Sequence, residues 1–75
     1  MRERIATFDL YRFFTALDRV RRSRALRWKV VADEAGVSPS TLTRLSQGKR
    51  LDVDSLGSLA RWASLEVGAY FRTIH

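Results

Sequence analysis

The sequence predicts an all-α domain of five helices around one small core. Apolar residues recur at helical spacing in successive segments. Residues that start and stop helices fall between those segments, and no stretch alternates apolar and polar residues as a half-buried strand does. The expected organisation is a short N-terminal leader over residues 1–8, free to move, followed by one helical domain over 9–75.

In the first helical segment Leu10, Phe13, Phe14, Leu17 and Val20 form a stripe running to about Arg22. Thr7 or Asp9 can cap it, because either side-chain oxygen can accept from an otherwise unpaired backbone N–H. Residues 23–27 connect to a second helix beginning near Trp28, although nothing in their composition marks a sharp break. Trp28, Val31, Ala32 and Ala35 share a face. Gly36 suits the left-handed turn that ends a helix, and Val37 is placed to plug the corner. Ser38 followed by Pro39 is a strong helix start, since proline loses no helical hydrogen bond at the first position.

The third helix, residues 39–46, turns Leu42 and Leu45 inward and stops at Gln47-Gly48. Lys49-Arg50-Leu51 forms a loop. Asp52 caps a fourth helix with a buried stripe of Val53, Leu56, Leu59, Ala60 and Ala63. Gly57 weakens that helix by ~1 kcal/mol relative to alanine, and close packing is one reason to keep it. Val67, Tyr70, Phe71 and Ile74 have the spacing of a fifth amphipathic helix.

A chain of 75 residues has room for one core. It buries only about 60% of the surface its unfolded form exposes. There is no cysteine, and the one histidine is the last residue, His75. Zinc sites, disulfides and histidine-based nucleophilic triads are therefore excluded, and no metal, cofactor or catalytic residue is expected. The acidic pairs Asp33-Glu34 and Asp52/Asp54 fit helix surface and capping better than catalysis. Gly48-Lys49 lacks the upstream glycine of a phosphate-binding loop. No apolar run reaches membrane-spanning length, so a cytoplasmic protein without membrane contact is expected.

The formal charge is +6, and it is uneven. Arg19, Arg21, Arg22, Arg24, Arg27 and Lys29 follow one another with no acidic residue among them. A polyanionic partner is the simplest explanation, with a merely solvated basic face as the alternative.

The order Val31-Ala32-Asp33-Glu34-Ala35-Gly36-Val37-Ser38, then Thr41-Leu42-Thr43-Arg44-Leu45, then Gln47-Gly48-Lys49, resembles the phage-repressor/Cro-like (XRE-type) helix-turn-helix family. Val53 to Leu56 and Ala60 to Ala63 are similar to that family's next helix, and with the first helix the resemblance spans about residues 10–65. It implies a repressor-like DNA-binding domain whose third helix enters the major groove of double-stranded DNA. A small prokaryotic transcriptional regulator, acting as a repressor, follows from it.

The resemblance also implies residue roles. Ser38, Pro39, Ser40, Thr43 and Arg44 are the base-reading candidates. Arg44 leads them because a guanidinium can bind guanine bidentately, with a phosphate contact as its alternative. Trp28, Lys29, Thr41, Gln47, Lys49 and Arg50 are candidates for phosphate contact. Trp28 stands where relatives often carry glutamine, and packing is the favoured role for its indole. Ser46 stands where many relatives carry a glutamate paired to an arginine of the first helix, which leaves Arg21 to face the DNA or Asp18. Relatives commonly act as dimers, and Tyr70, Phe71 and Ile74 offer a homodimer patch on the C-terminal helix; their alternative role is to close the monomer core.

A helix-turn-helix scaffold can instead serve as a protein-interaction module or antitoxin-like adaptor, because fold alone does not fix function. Membrane-surface binding by the first helix is less economical, since a small bundle needs that apolar stripe for its core. Single-stranded RNA binding is weaker still, since no exposed aromatic ladder interleaves with the basic residues.

Overall fold

The computed structural model describes residues 5–74. Its elements run β1 (Ile5–Phe8), α1 (Leu10–Ser23), α2 (Trp28–Ala35), α3 (Pro39–Ser46), α4 (Val53–Ala63), a 3-10 turn (Val67–Tyr70) and β2 (Phe71–Ile74). The fold is mostly helical, as the periodicity predicts, but it has four α-helices rather than five and a small antiparallel sheet.

Both departures lie in the segments that flank the bundle. Residues 5–8 of the expected leader form β1, and β2 replaces the second half of the expected fifth helix. The strands pair Ile5 with Ile74, Ala6 with Thr73, Thr7 with Arg72 and Phe8 with Phe71. Residues 1–4 of the leader and His75 lie outside the described residues. The helical spacing of Val67, Tyr70, Phe71 and Ile74 misled because the 3-10 turn alone seats Val67 and Tyr70 against the core, after which the chain extends. Phe8 packs edge-on against Phe13 at 5.3 Å and Phe71 at 5.1 Å, and Tyr70 meets Phe13 at 5.5 Å. This aromatic cluster fastens the ribbon to α1. The Asp9 N–H donates to the Tyr70 carbonyl at 2.6 Å, and the Asp9 carboxylate caps Arg12 at 3.0 Å while facing Arg72 at 3.6 Å.

The core joins Phe13 and Leu17 of α1, Val31 and Ala32 of α2, Leu42 and Leu45 of α3, and Leu59, Ala60 and Ala63 of α4. Each helix thus contributes one stripe, and burying those stripes is the main stabilising term. Val53 departs from its expected stripe and is 82% exposed, because the first residue of α4 lies beyond the packed region. Gly57 is exposed, and a Cβ built there meets nothing within 4 Å, so close packing does not explain it.

All four helices end in the same way. The residue after the helix adopts a left-handed conformation, and the next N–H reaches back five residues to a helix carbonyl. At α2 this is Val37 to Ala32 at 3.0 Å, with Gly36 at φ +78°; at α3 it is Lys49 to Arg44 at 2.9 Å, with Gly48 at φ +76°. At α1 it is Leu26 to Arg21 at 3.1 Å, and at α4 Leu65 to Ala60 at 2.8 Å. The left-handed residues there are Ala25 (φ 55°) and Ser64 (φ 57°), so neither end carries the glycine that marks such a turn in a sequence.

Among the described residues no helix is long and apolar enough to cross a membrane.

Candidate nucleic-acid interface

The corner between α2 and α3 is built by four consecutive residues. Gly36 takes the left-handed turn, and half-buried Val37 packs on the core. Ser38 is extended (φ −77°, ψ 152°), and its Oγ accepts from the Thr41 N–H at 3.3 Å. Pro39 then occupies the first helical position, as its fixed φ favours.

With Leu42 and Leu45 inward, α3 presents Pro39, Ser40, Thr43, Ser46 and the following Gln47 as exposed residues. Its hydroxyls are engaged within the chain. The Ser38 Oγ lies 3.0 Å from both the Ser40 Oγ and the Thr41 Oγ1. The Thr43 Oγ1 donates to the Pro39 carbonyl at 3.3 Å, and the Ser46 Oγ donates to the Thr43 carbonyl at 2.7 Å. Thr41 is half-buried, so of the phosphate candidates it is the least accessible.

Arg44 is exposed, yet its guanidinium donates to the Arg50 carbonyl at 3.1 Å. It therefore braces the loop that follows α3, the structural role that the sequence reading set below base or phosphate contact. Two inward leucines do not prevent that role, because a long side chain can run along the helix surface to the loop. Gln47 is the C-cap of α3, and Gly48, Lys49 and Arg50 follow it, all exposed.

The basic run divides. Asp18, one residue upstream of it, accepts from Arg21 Nη2 at 2.7 Å and faces Arg22 Nε at 3.1 Å. The hydrogen bond from Arg21 and the charges of both arginines hold the Asp18 carboxyl below the usual carboxylate range. Arg21 also donates to the Leu26 carbonyl at 2.9 Å, closing the end of α1. Arg24 lies over the Trp62 ring at 4.7 Å and donates to the Trp62 carbonyl at 3.3 Å. These three arginines hold the bundle together. Arg19, Arg27 and Lys29 are exposed and have no ion-pair partner among the described residues.

Trp28 packs, as favoured from its residue type. It stacks on Phe14 at 5.2 Å with an interplanar angle of 19°, and the Arg21 guanidinium lies 4.8 Å from its ring. Between α1, α2 and α3 this packing leaves an open groove of about 400 Å³. Leu42, Phe14 and Trp28 form its buried or half-buried floor; Lys29, Pro39, Thr43 and Ser46 form its exposed rim. The groove joins the start of α2 to the outer face of α3. Phe14 and Ser46 were not among the site candidates. Phe14 read only as a core position, and Ser46 only as a missing carboxylate.

The homodimer patch has a different form from the one expected. Tyr70 is half-buried in the aromatic cluster, and Phe71 is a strand residue that is 48% exposed. The Ile74 side chain lies outside what the structure describes. The C-terminal helix on which the patch was placed is not formed.

Comparison with protein-family models, curated proteins and solved structures gave no match.

Proposed function

We propose that this chain binds double-stranded DNA by laying α3 in the major groove, as a small transcriptional regulator of repressor type. The observation that carries this reading is a surface without carboxylates. From Ala35 through Leu51, the span holding the corner, α3 and its loop, there is no Asp or Glu. Lys29 stands beside one end of the exposed α3 face and Lys49 with Arg50 beside the other. A cationic, hydroxyl-rich helix with no acidic group to repel phosphate suits a polyanionic groove.

In this reading the phosphate contacts come from Lys29, Lys49 and Arg50, with the Gln47-Gly48 turn allowing close approach of the backbone. Arg44 supports the loop from within. Contact with the bases falls to the first turns of α3, Pro39, Ser40 and Thr43. A dimer reading a palindrome would place two such helices about 34 Å apart.

The test is binding of the full chain to mixed-sequence duplex DNA across a salt series. Neutralising about three phosphates gives a slope of log affinity against log salt near −3. Lys29→Ala and Lys49→Ala should each reduce that slope by about 1. Absence of duplex binding, or binding indifferent to salt, would favour the protein-interaction module instead.

A further inference from the structure

We propose that the groove between Trp28 and Pro39 reads the 5-methyl group of thymine, making Thr43 and Pro39 the specificity-determining residues. This rests on the DNA-binding reading above. The argument begins with which groups on the α3 face are free. The Thr43 and Ser46 hydroxyls spend their protons on backbone carbonyls, at 3.3 and 2.7 Å. The Ser38, Ser40 and Thr41 hydroxyls bond among themselves, and the Arg44 guanidinium is turned to Arg50. The donors needed to read the N7 and O6 acceptors of purines are thus committed inside the chain.

What the face offers outward is carbon. The Pro39 ring and the Thr43 methyl border a floor of Phe14, Trp28 and Leu42. The thymine methyl is the one apolar group that base pairs present in the major groove. Lys29 on the same rim supplies the charge to meet a phosphate flanking that thymine. An apolar groove continuous with a cationic helix face fits this edge better than it fits a purine.

The experiment starts from duplexes selected by the full chain from a random pool. Each thymine in turn is replaced by deoxyuridine, which removes the methyl and nothing else. At one or two positions affinity should fall about fourfold, the factor equivalent to ~0.8 kcal/mol for one buried methyl group. Thr43→Ser, which keeps Oγ and loses the methyl, and Pro39→Ala should each shrink that factor toward one while still binding the deoxyuridine duplex. Thermal unfolding of both variants checks that they are folded. A deoxyuridine series flat to within about twofold, with binding retained, overturns the thymine assignment alone. A methyl effect unchanged in both variants overturns the role of this groove. Failure of the pool to yield any bound duplex overturns the DNA reading together with this inference.

Discussion

The Arg44 guanidinium spans 3.1 Å to the Arg50 carbonyl, tying the last turn of α3 to the loop that follows it. The same residue's carbonyl accepts the Lys49 N–H at 2.9 Å, so Arg44 holds the loop at both ends of its structure. Arg44→Ala should therefore act through the position of Lys49 and Arg50. Because the bond is exposed, the stability loss should stay within about 1 kcal/mol by thermal unfolding. Affinity should fall by a similar factor on every selected duplex. A consensus relaxed at a single position would instead return Arg44 to base reading.

Gly57→Ala should stabilise the protein by about 1 kcal/mol, the helix-propensity difference, because the added methyl enters open space. Ala25→Gly and Ser64→Gly should also stabilise, each by up to about 1 kcal/mol, since both residues sit in a left-handed conformation that disfavours a Cβ. Gly36→Ala should do the reverse by a similar amount. Chemical denaturation of the four variants checks the signs together.

Ser38→Ala should cost about 1 kcal/mol, because the Thr41 N–H loses its side-chain partner at the start of α3. Ser38→Asp should recover most of that stability, an anion being favourable at a helix N-terminus. The same substitution should weaken duplex binding, since it places a carboxylate on the proposed interface. Opposite responses of unfolding and binding would separate the cap from the contact.

Asp18 and Asp52 give stability an acid limit. Hydrogen bonds from the Ser55 side chain and then its backbone N–H lower the Asp52 pKa, as Arg21 does for Asp18. A carboxyl depressed in the folded state adds stability that is fully present above its unfolded value, about 3.9. That stability is lost as pH falls through the folded value. The unfolding midpoint should therefore be insensitive to these groups from pH 7 to about 5 and fall below about 4. In the double variant Asp18→Asn, Asp52→Asn the part of that acid dependence due to these groups should disappear. A fall of unchanged size would assign it to other carboxyls.

Much of the bundle was legible because its punctuation is chemical. Asp9, Ser38 and Asp52 cap helices with their own side chains, and Gly36 and Gly48 take left-handed turns. Ala25 ends α1 in the same conformation without the residue that signals it, which is why residues 23–27 showed no break. The ribbon was hidden for another reason. Whether residues 71–74 extend or coil depends on a strand far away in sequence, which local periodicity cannot see. At the site, the corner and the exposed face of α3 followed from spacing. The orientation of Arg44 did not, because it depends on where a loop carbonyl comes to lie. The neutralising role of Asp18 was missed because the basic run was read from Arg19 onward.

The pairing of β1 with β2 also bears on the order of assembly. The helices and their corner close through neighbours in the chain, whereas the ribbon must bring Phe8 to Phe71 across the whole bundle. Such long-range closure is entropically expensive until the intervening chain is compact. The ribbon thus behaves as a clasp fastened last. Phe8→Ala should leave the refolding rate nearly unchanged and speed unfolding, so the clasp governs how long the fold lasts rather than how fast it forms.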